Sequence, residues 1–247
     1  MSSVSKEKNG KIGEVILSRV EKRNALNLNM ILEMMRIIRE FNDDPDITVI
    51  SVRFGGNDFS VWADINELLD MNRDDAINFR KTMRQLTSAI RDSEKITVFF
   101  LTGFSLGGGF EISQWADFRI ASIDAKIGQP EIKIGVNAGA GGNSIFPMHI
   151  GYSNGMYLSL TGKIIDAQRA LDLGIIQDIV QNYMEYKNII ESLSERDSRL
   201  ITGMKLAMRE TWKTNFMKSF DIEEKTFIDV VPSDESKKSM EEFLKRK

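Results

Sequence analysis

The sequence contains no cysteine, so disulfide bonds, thiolate nucleophiles and cysteine-ligated metals are all excluded. Its single histidine, His149, argues against a Ser-His-Asp triad and against a metal site built from several histidines. The longest apolar run, from Ile96 to Leu101, is broken by Thr97 and is too short to span a bilayer. The formal net charge of only -3 gives no support for a nucleic-acid-binding surface. We therefore expect neither a membrane nor a nucleic acid among the partners.

The composition that remains is typical of a folded domain. The 247 residues are 42% hydrophobic and 28% charged, which fits one large α/β domain, or one domain with a smaller appendage. The N-terminal stretch MSSVSKEKNGKIGEV lacks the apolar segment of a signal peptide. With no disulfide framework to explain, the cytoplasm is the expected location.

Hydrophobic periodicity predicts strands alternating with helices, followed by a mostly helical second half. This order is typical of an α/β fold with buried, largely parallel strands. The charged residues between 72 and 95 are most simply a solvated helix face. The predicted elements are strands over 12–19, 47–54, 96–104 and 115–122, and helices over 26–44, 64–95 (interrupted near 72–75), 166–174, 195–216 and 233–247.

Three adjacent glycines, Gly107 to Gly109, stand between an apolar run and a segment with helical spacing, in GFSLGGGFEIS. Each glycine costs conformational entropy on folding, so the cluster predicts a tight strand-to-helix turn or a close approach of a ligand to the backbone. A helix start also carries unpaired amide donors and partial positive charge, which suit a negative group. Glu111 follows in the first turns. Taken alone, the glycines favour neither interpretation.

A second glycine-rich stretch, GQPEIKIGVNAGAGG at 128–142, carries one acid, Glu131, directly after Pro130. A proline fixes its own φ and restricts the preceding residue, so the bend at Glu131 is expected to be rigid. A third piece, FSVWADI at 59–65, follows a predicted buried strand, where α/β proteins usually place binding groups. In isolation, each glutamate is more simply a solvated residue than a catalytic one.

Together and in this order, these segments resemble the enoyl-CoA hydratase/isomerase family, the crotonases. The likeness includes SRVEKRNALN near the start, LTG followed by DAQRALDLGIIQDIV, and, weakly, MEEFLKRK at the end. It implies a crotonase core over residues 1–193, an α/β spiral of ββα units that holds the acyl-CoA site. It also implies a C-terminal helical region over 194–247 that supports homotrimers, often paired into hexamers.

The resemblance implies an enzyme that binds an acyl-CoA thioester and stabilises its enolate, with no metal and no cofactor beyond the CoA of the substrate. By position in the motifs, the backbone N–H groups of Ala63 and Gly108 form the oxyanion hole. Glu111 and Glu131 fall where the hydratases carry their catalytic pair: Glu111 mainly holds and activates water, and Glu131 delivers the proton to Cα. The implied substrate- and CoA-binding residues are Arg23, Val61, Trp62, Asp64, Ile65 and Gly107.

Several positions depart from the family pattern. Trp62 stands where FSxGAD sequences have glycine, beside one oxyanion donor and near the expected adenine of CoA. Asn137-Ala138 and Asn143-Ser144-Ile145 replace the usual residues of the second motif, and Phe99 and Phe100 replace small residues. These changes bear on the acyl group and on activity, and leave the fold assignment intact.

The leading hypothesis is reversible addition of water to a 2-enoyl-CoA. One alternative is an enoyl-CoA isomerase on the same platform, which can run with one acid. Another is a diverged, non-catalytic subunit of the same fold, with Trp62 as its signature. An NAD-dependent dehydrogenase is poorly supported, because GFSLGGGFE lacks the G-x-G-x-x-G spacing.

Overall fold

The computed structural model describes residues 3–245, with side chains at all of these positions except 199, 210–223, 226 and 235. The strands are β1 (Val4–Asn9), β2 (Ile12–Leu17), β3 (Val49–Phe54), β4 (Ser60–Val61), β5 (Ile96–Leu101), β6 (Phe104–Leu106), β7 (Phe118–Ser122), β8 (Lys126–Gly128), β9 (Ile165–Asp166) and β10 (Asp178–Val180). The helices are α1 (Leu28–Asp43), α2 (Ile65–Asp70), α3 (Arg73–Arg91), α4 (Gly108–Ser113), α5 (Gly142–Ile150), α6 (Tyr152–Thr161), α7 (Ala167–Asp172), α8 (Tyr183–Ser194), α9 (Ser198–Val230) and α10 (Asp234–Lys245). Short 3-10 helices lie at Val20–Lys22 and Glu131–Ile134.

The strands are shared between two sheets in a repeating pattern. Among the described residues, six strands form a large sheet in the order β1-β2-β3-β5-β7-β10, and four form a small sheet in the order β4-β6-β8-β9. β3, β5 and β7 each enter the large sheet, and the strand that follows each of them enters the small one. Pairing is parallel from β2 to β10 and along β4-β6-β8. The predicted α/β spiral of ββα units is confirmed.

Alternate side chains of the large sheet enter two apolar layers, as the period of two in a strand requires. In β5, Phe99 and Leu101 belong to the main core that the sheet shares with α1 and α3. Val98 and Phe100 belong to a second layer, which α8 covers. Phe100 stacks on Tyr186 of α8 with ring centroids 4.4 Å apart. The two phenylalanines that replace small residues therefore fill different layers on opposite faces of one strand.

The sequence pattern does not predict β1, because its segment VSKEKN is almost entirely exposed. The strand pairs antiparallel with β2 along its whole length. Lys6 and Lys8 form ion pairs with Glu40 and Asp44 at the end of α1. An edge strand is commonly charged, since exposed backbone donors and acceptors would otherwise attract another chain. The alternation that identifies a half-buried strand is therefore missing here.

The interruption predicted near residues 72–75 is a helix boundary. α2 ends at Asp70, and α3 begins after Asn72, whose side chain accepts hydrogen bonds from the amides of Asp74 and Asp75. The side chain of Asp75 accepts one from the Asn72 amide in return. This reciprocal capping box satisfies amides that a helix start leaves unpaired.

The C-terminal part of the described chain is helical, as predicted, but its first helix is longer. α9 extends over 198–230, whereas the sequence pattern predicts 195–216. α9 packs against α3 and α5, and α10 packs against α2 and the 3-10 helix at Glu131–Ile134. The boundary between 1–193 and 194–247, and the role of the second region in assembly, stay predictions. Across residues 3–245, no helix has both the length and the apolarity needed to cross a bilayer.

Candidate active site

The turn at the glycine cluster approaches the 59–65 segment closely. Gly107 has a φ of 56° and a ψ of -135°, a combination that residues with side chains rarely adopt. A Cβ atom at this position would lie 2.7 Å from the ring of Trp62. Its amide donates to the carbonyl of Gly128 at 3.1 Å, and α4 begins at the next residue. The cluster is thus a tight turn whose glycines allow two backbone segments to pack together.

Three neighbouring parallel strands of the small sheet bring the predicted site residues to one edge. Ala63 follows β4, Gly108 follows β6 and Glu131 follows β8. Pairing continues past the strand ends, because the Trp62 amide donates to the Leu106 carbonyl at 3.0 Å. Adjacent strands lie about 4.8 Å apart, so residues that follow them at the same end are close in space.

The backbone segments at Ala63 and Gly108 lie close together. A Cβ atom on Gly108 would lie 3.3 Å from the amide nitrogen of Ala63. Leu26 holds the Ala63 peptide from both sides: its amide donates to the Trp62 carbonyl, and its carbonyl accepts from the Asp64 amide. Within the described part of the chain, neither the Ala63 nor the Gly108 amide donates a hydrogen bond to the protein. Two adjacent N–H donors are therefore available to a ligand.

Glu111 is buried, and the second glycine-rich loop holds its carboxylate. Its Oε1 accepts hydrogen bonds from the amides of Ala140 and Gly142, both at 3.0 Å, and its Oε2 accepts one from Gly139 at 3.2 Å. Burial raises the pKa of Glu111, while these three amides and the positive charge of Arg80 act to lower it. A Cβ atom at position 142 would lie 2.7 Å from Oε1 of Glu111, so this approach requires glycine.

Glu131 begins the short 3-10 helix at Glu131–Ile134, directly after Pro130. This turn ends at Gly135, whose φ is 70°, and the Val136 amide donates back to the Glu131 carbonyl at 3.3 Å. The bend is therefore tightly hydrogen-bonded. The Glu131 side chain is buried and lines the same cavity as Glu111. The two acids, which are distant in the sequence, thus meet at one place.

The cavity between these residues is small and mostly apolar. It encloses about 20 Å³, which is room for roughly one water molecule. Phe79 of α3 and Phe227 of α9 stack at its wall with ring centroids 6.1 Å apart. The full lining is Trp62, Ala63, Leu68, Phe79, Met83, Gly108, Glu111, Glu131, Ile134, Val136, Asn137, Gly139 and Phe227.

Comparison with known families agrees with this fold. A family model described as enoyl-CoA hydratase/isomerase matches residues 7–247, nearly the whole chain. The chain belongs to the enoyl-CoA hydratase/isomerase family. The resemblance drawn from the sequence motifs is thereby confirmed.

Relatives of this family match over most of their length. The chain is 29% identical over 245 residues to the crotonyl-CoA hydratase of Syntrophomonas wolfei, covering 98% of this chain and 94% of that protein. It is 30% identical over 210 residues to the short-chain-enoyl-CoA hydratase of Clostridium acetobutylicum, covering 85% and 79%. Among solved structures, the enoyl-CoA hydratase from Thermoplasma volcanium GSS1 has a TM-score of 0.83 at 34% identity, covering 98% of this chain and 97% of that one. The enoyl-CoA hydratase from Bacillus halodurans has a TM-score of 0.90 at 26% identity, covering 98% and 100%.

Trp62 departs from the family pattern at the cavity itself. Its φ is 75°, an uncommon conformation for a residue with a side chain, which costs of order 1–3 kcal/mol. The indole is buried, lines the cavity and meets Phe243 of α10 edge-on, with ring centroids 5.8 Å apart. The glycine of the enoyl-CoA hydratase/isomerase pattern would adopt this φ without strain. Trp62 therefore keeps the backbone path of a glycine while its side chain forms a wall of the cavity.

The other residues predicted to bind substrate or CoA do not line this cavity. Arg23 pairs with Asp58, Nε to Oδ2 at 2.7 Å, and its guanidinium lies 4.8 Å from the ring centroid of Phe104. Asp64 pairs with Arg19 at 2.7 Å and caps the N-terminus of α2. Their contacts with CoA stay predictions, as do those of the buried Val61 and Ile65 and of the turn residue Gly107.

Sequence reasoning did not assign Arg80, Asn137 or Phe227 to the site, although it noted Asn137 as a departure from the family pattern. Arg80 is fully buried on α3 and its charge acts on Glu111, so the expectation of a solvated face is wrong at this residue. Its helical spacing from the buried Phe79 and Met83 could have indicated that Arg80 is buried on the same face of α3. Asn137 and Phe227 line the cavity. Phe227 comes from a helix far along the chain, for which no local pattern indicates a contact with the site.

His149 is a packed residue outside the cavity. Its Nε2 lies 3.0 Å from the carbonyl oxygen of Gln114. Burial and the charge of Arg119 lower the pKa of His149 to about 4. The buried guanidinium of Arg119 in turn donates to the carbonyls of Ser113, Gln114 and Ala116. Arg119 and His149 therefore contact the C-terminal end of α4, the helix that carries Glu111.

Proposed function

We propose that this protein is an enoyl-CoA hydratase that adds water reversibly to a 2-enoyl-CoA thioester. The observation that carries the proposal is the convergence of two amides and two carboxylates on one water-sized cavity. The amides of Ala63 and Gly108 have no acceptor within the described chain, and such preorganised donors suit a thioester oxygen that becomes an enolate. The carboxyl groups of Glu111 and Glu131 face the same space, where they suit proton transfer from water and to Cα.

In the proposed reaction, both amides donate hydrogen bonds to the thioester oxygen. The water oxygen forms a bond to Cβ while the π electrons of the double bond shift toward that oxygen as an enolate, and the Glu111 carboxylate takes a proton from the water. The enolate then collapses, and Cα takes a proton from the carboxylic acid form of Glu131. The product is a 3-hydroxyacyl-CoA. A proton passing from Glu111 to Glu131 restores the starting state.

The hydrogen bonds of Glu111 are compatible with this role. A carboxylate offers about four acceptor positions, and the amides of Ala140, Gly142 and Gly139 occupy three of them. The remaining position on Oε2 is available to a water. The fixed amides hold the carboxylate in one orientation, which favours proton transfer along a single path.

The proposal is tested with crotonyl-CoA, by following the loss of the conjugated thioester absorbance. Glu111→Gln and Glu131→Gln should each lower kcat by about 10²–10⁴, the usual contribution of a positioned acid or base. Glu94→Gln, which changes an exposed glutamate in the same way, is the matched control. Hydration that survives both cavity substitutions would end the proposal.

Isomerisation of a 3-enoyl-CoA is a second candidate, which the three amide bonds to Glu111 favour. Moving a proton between Cα and Cγ needs only one acid, and Glu131 would be sufficient. Turnover of a 3-enoyl-CoA that requires Glu131 but tolerates Glu111→Gln would support this reaction.

A non-catalytic subunit is the third candidate, which the small cavity and the bulk of Trp62 favour. That candidate predicts no turnover and no detectable binding of CoA thioesters.

The proposal also covers the CoA-binding site, the cofactor requirement, the location and the assembly of the protein. We expect the CoA moiety to lie against Arg23, Trp62 and the 61–65 segment, and the protein to need no cofactor beyond it. We also expect a cytoplasmic homotrimer or homohexamer. Light scattering distinguishes the two assemblies. Binding of CoA to wild type and to Arg23→Ala tests the nucleotide end.

A further inference from the structure

Four side-chain amides form a hydrogen-bonded chain from the end of α4 to the cavity. Nε2 of Gln114 donates to Oε1 of Gln129 at 3.1 Å. Nε2 of Gln129 donates to Oδ1 of Asn143 at 2.9 Å, and Nδ2 of Asn143 donates to Oδ1 of Asn137 at 2.6 Å. These four residues are called the amide chain below. Asn137 is its only member that lines the cavity.

The amide chain has a direction, because each NH2 group donates to the carbonyl of the next residue. At its start, Oε1 of Gln114 is buried and accepts no hydrogen bond within the described residues. At its end, the carbonyl of Asn137 is occupied by Asn143. The NH2 group of Asn137 is therefore the donor that the chain leaves for another molecule. Hydrogen bonds in series polarise one another, which strengthens the donor at the end.

Asn137 lies close to the carboxylates that the proposed reaction uses. It shares the cavity lining with Glu111 and Glu131. It also stands two residues before Gly139, whose amide binds Oε2 of Glu111. A water that donates a hydrogen bond to the Glu111 carboxylate and presents one lone pair to Cβ has a second lone pair that can accept a hydrogen bond. Asn137 is the carboxamide that the lining offers at this place.

We infer that the Asn137 NH2 group donates a hydrogen bond to the oxygen that is added at Cβ. This oxygen belongs to water in the forward direction and to the hydroxyl of the 3-hydroxyacyl-CoA in the reverse direction. The inference rests on the proposed hydratase function. Asn143 acts as a positioning residue, because its bond to the Asn137 carbonyl turns the NH2 group toward the cavity. Asn137 and Asn143 both depart from the family pattern, and they are in contact with each other.

The test compares two ligands that differ only in this oxygen, 3-hydroxybutyryl-CoA and butyryl-CoA, by calorimetric titration. Asn137→Leu should weaken binding of the hydroxy ligand about 2- to 12-fold, the range for one net hydrogen bond, and leave butyryl-CoA unchanged. Asn143→Leu should give a smaller loss of the same selectivity. Asn78→Leu, the same change at an exposed position of α3, is the control and should bind both ligands like wild type.

Equal weakening of both ligands in Asn137→Leu would overturn the inference, and so would a wild type that does not prefer the hydroxy ligand or binds neither. Should Asn137→Leu fail to fold, Asn137→Ala carries the same expectation. Failure of the proposed function is separate, because it is seen as an absence of crotonyl-CoA turnover by wild type. Hydroxyl selectivity without turnover would keep the Asn137 contact and remove the reaction.

Discussion

Gly108 and Ala63 are in backbone contact, and a Cβ atom on Gly108 would lie 3.3 Å from the amide nitrogen of Ala63. The two residues come from successive ββα units, after β4 and after β6. The proposed reaction requires both N–H groups to reach one thioester oxygen. The contact also leaves little space for any side chain at position 108.

We expect Gly108→Ala to fold but to lose activity. Position 108 lies in α4 and does not have a positive φ, so the backbone accepts alanine. The added methyl group would stand beside the Ala63 amide and displace the thioester oxygen. The kcat for crotonyl-CoA should fall by about 10²–10³, as for the loss of one oxyanion donor. Gly109→Ala should instead destabilise the fold, because its Cβ atom would lie 2.3 Å from Cβ of Ser60. We expect this variant to have a lower melting temperature. Full activity of Gly108→Ala would contradict the assignment.

Trp62→Gly should change both stability and ligand binding. Glycine removes the strain of the φ of 75°, but the variant loses a buried indole, and large-to-small changes of this kind cost about 3–5 kcal/mol. The net free energy of unfolding should therefore fall by up to about 4 kcal/mol, after a gain of about 1–3 kcal/mol from the relieved strain. Affinity for CoA thioesters should change, because the indole forms a wall of the cavity. Phe243→Ala removes only the edge contact with the indole and should change the affinity for CoA thioesters less. Unaltered affinity in Trp62→Gly would place Trp62 outside the ligand site.

Removing the charge of Arg80 should move the acidic limb of the pH profile of kcat/KM. Burial raises the pKa of Glu111, and the positive charge of Arg80 acts to lower it. Glu111 acts as a base when ionised, so Arg80→Met, by raising this pKa further, should shift the acidic limb of kcat/KM to higher pH. Glu131, the other acid facing the cavity, would titrate in the same profile.

Arg80→Lys keeps the positive charge and should restore much of the profile. Arg119→Met removes a different buried guanidinium, which contacts the end of α4 rather than the cavity, and should lower stability without moving the limb. An acidic limb that stays in place in Arg80→Met would show that the guanidinium does not tune Glu111.

His149 should make the fold less stable in acid. Its folded-state pKa is about 4, below the ordinary value of 6.5, because burial and Arg119 lower it. Between these values the unfolded chain binds the extra proton, so stability falls as the pH is lowered through this window. The loss is at most roughly 3 kcal/mol. His149→Gln should remove this contribution and flatten the pH dependence, as measured by urea unfolding near neutral pH and at about pH 5. Parallel curves for the two proteins would argue against it.

The sequence was sufficient for the fold and for the placement of Glu111 and Glu131. Buried strands show alternating or continuous apolar runs, and helix boundaries such as Asn72 carry local capping signals. The motifs supplied what periodicity does not, namely that segments far apart in the chain meet.

Features set by contacts between distant segments were not predictable. The burial of Arg80 was missed because its charge indicates a solvated face, although it stands beside the buried Phe79 and Met83 on α3. β1 lacks alternation because it is an exposed edge. The amide chain joins residues from α4, the Glu131 loop and α5, and single glutamines and asparagines give no sign of such a connection.

The parallel pairing of β4, β6 and β8 fixes the distances at this site. The segments that carry Ala63, Gly108 and Glu131 therefore leave the small sheet from neighbouring strands, which lie about 4.8 Å apart. A bulky residue such as Trp62 can therefore follow a strand without disturbing the register of the small sheet. A deletion of one residue within β4, β6 or β8 would instead turn its side chains to the opposite face. Divergence in what such a protein accepts is thus expected in the cavity walls, whereas the small sheet keeps the three segments side by side.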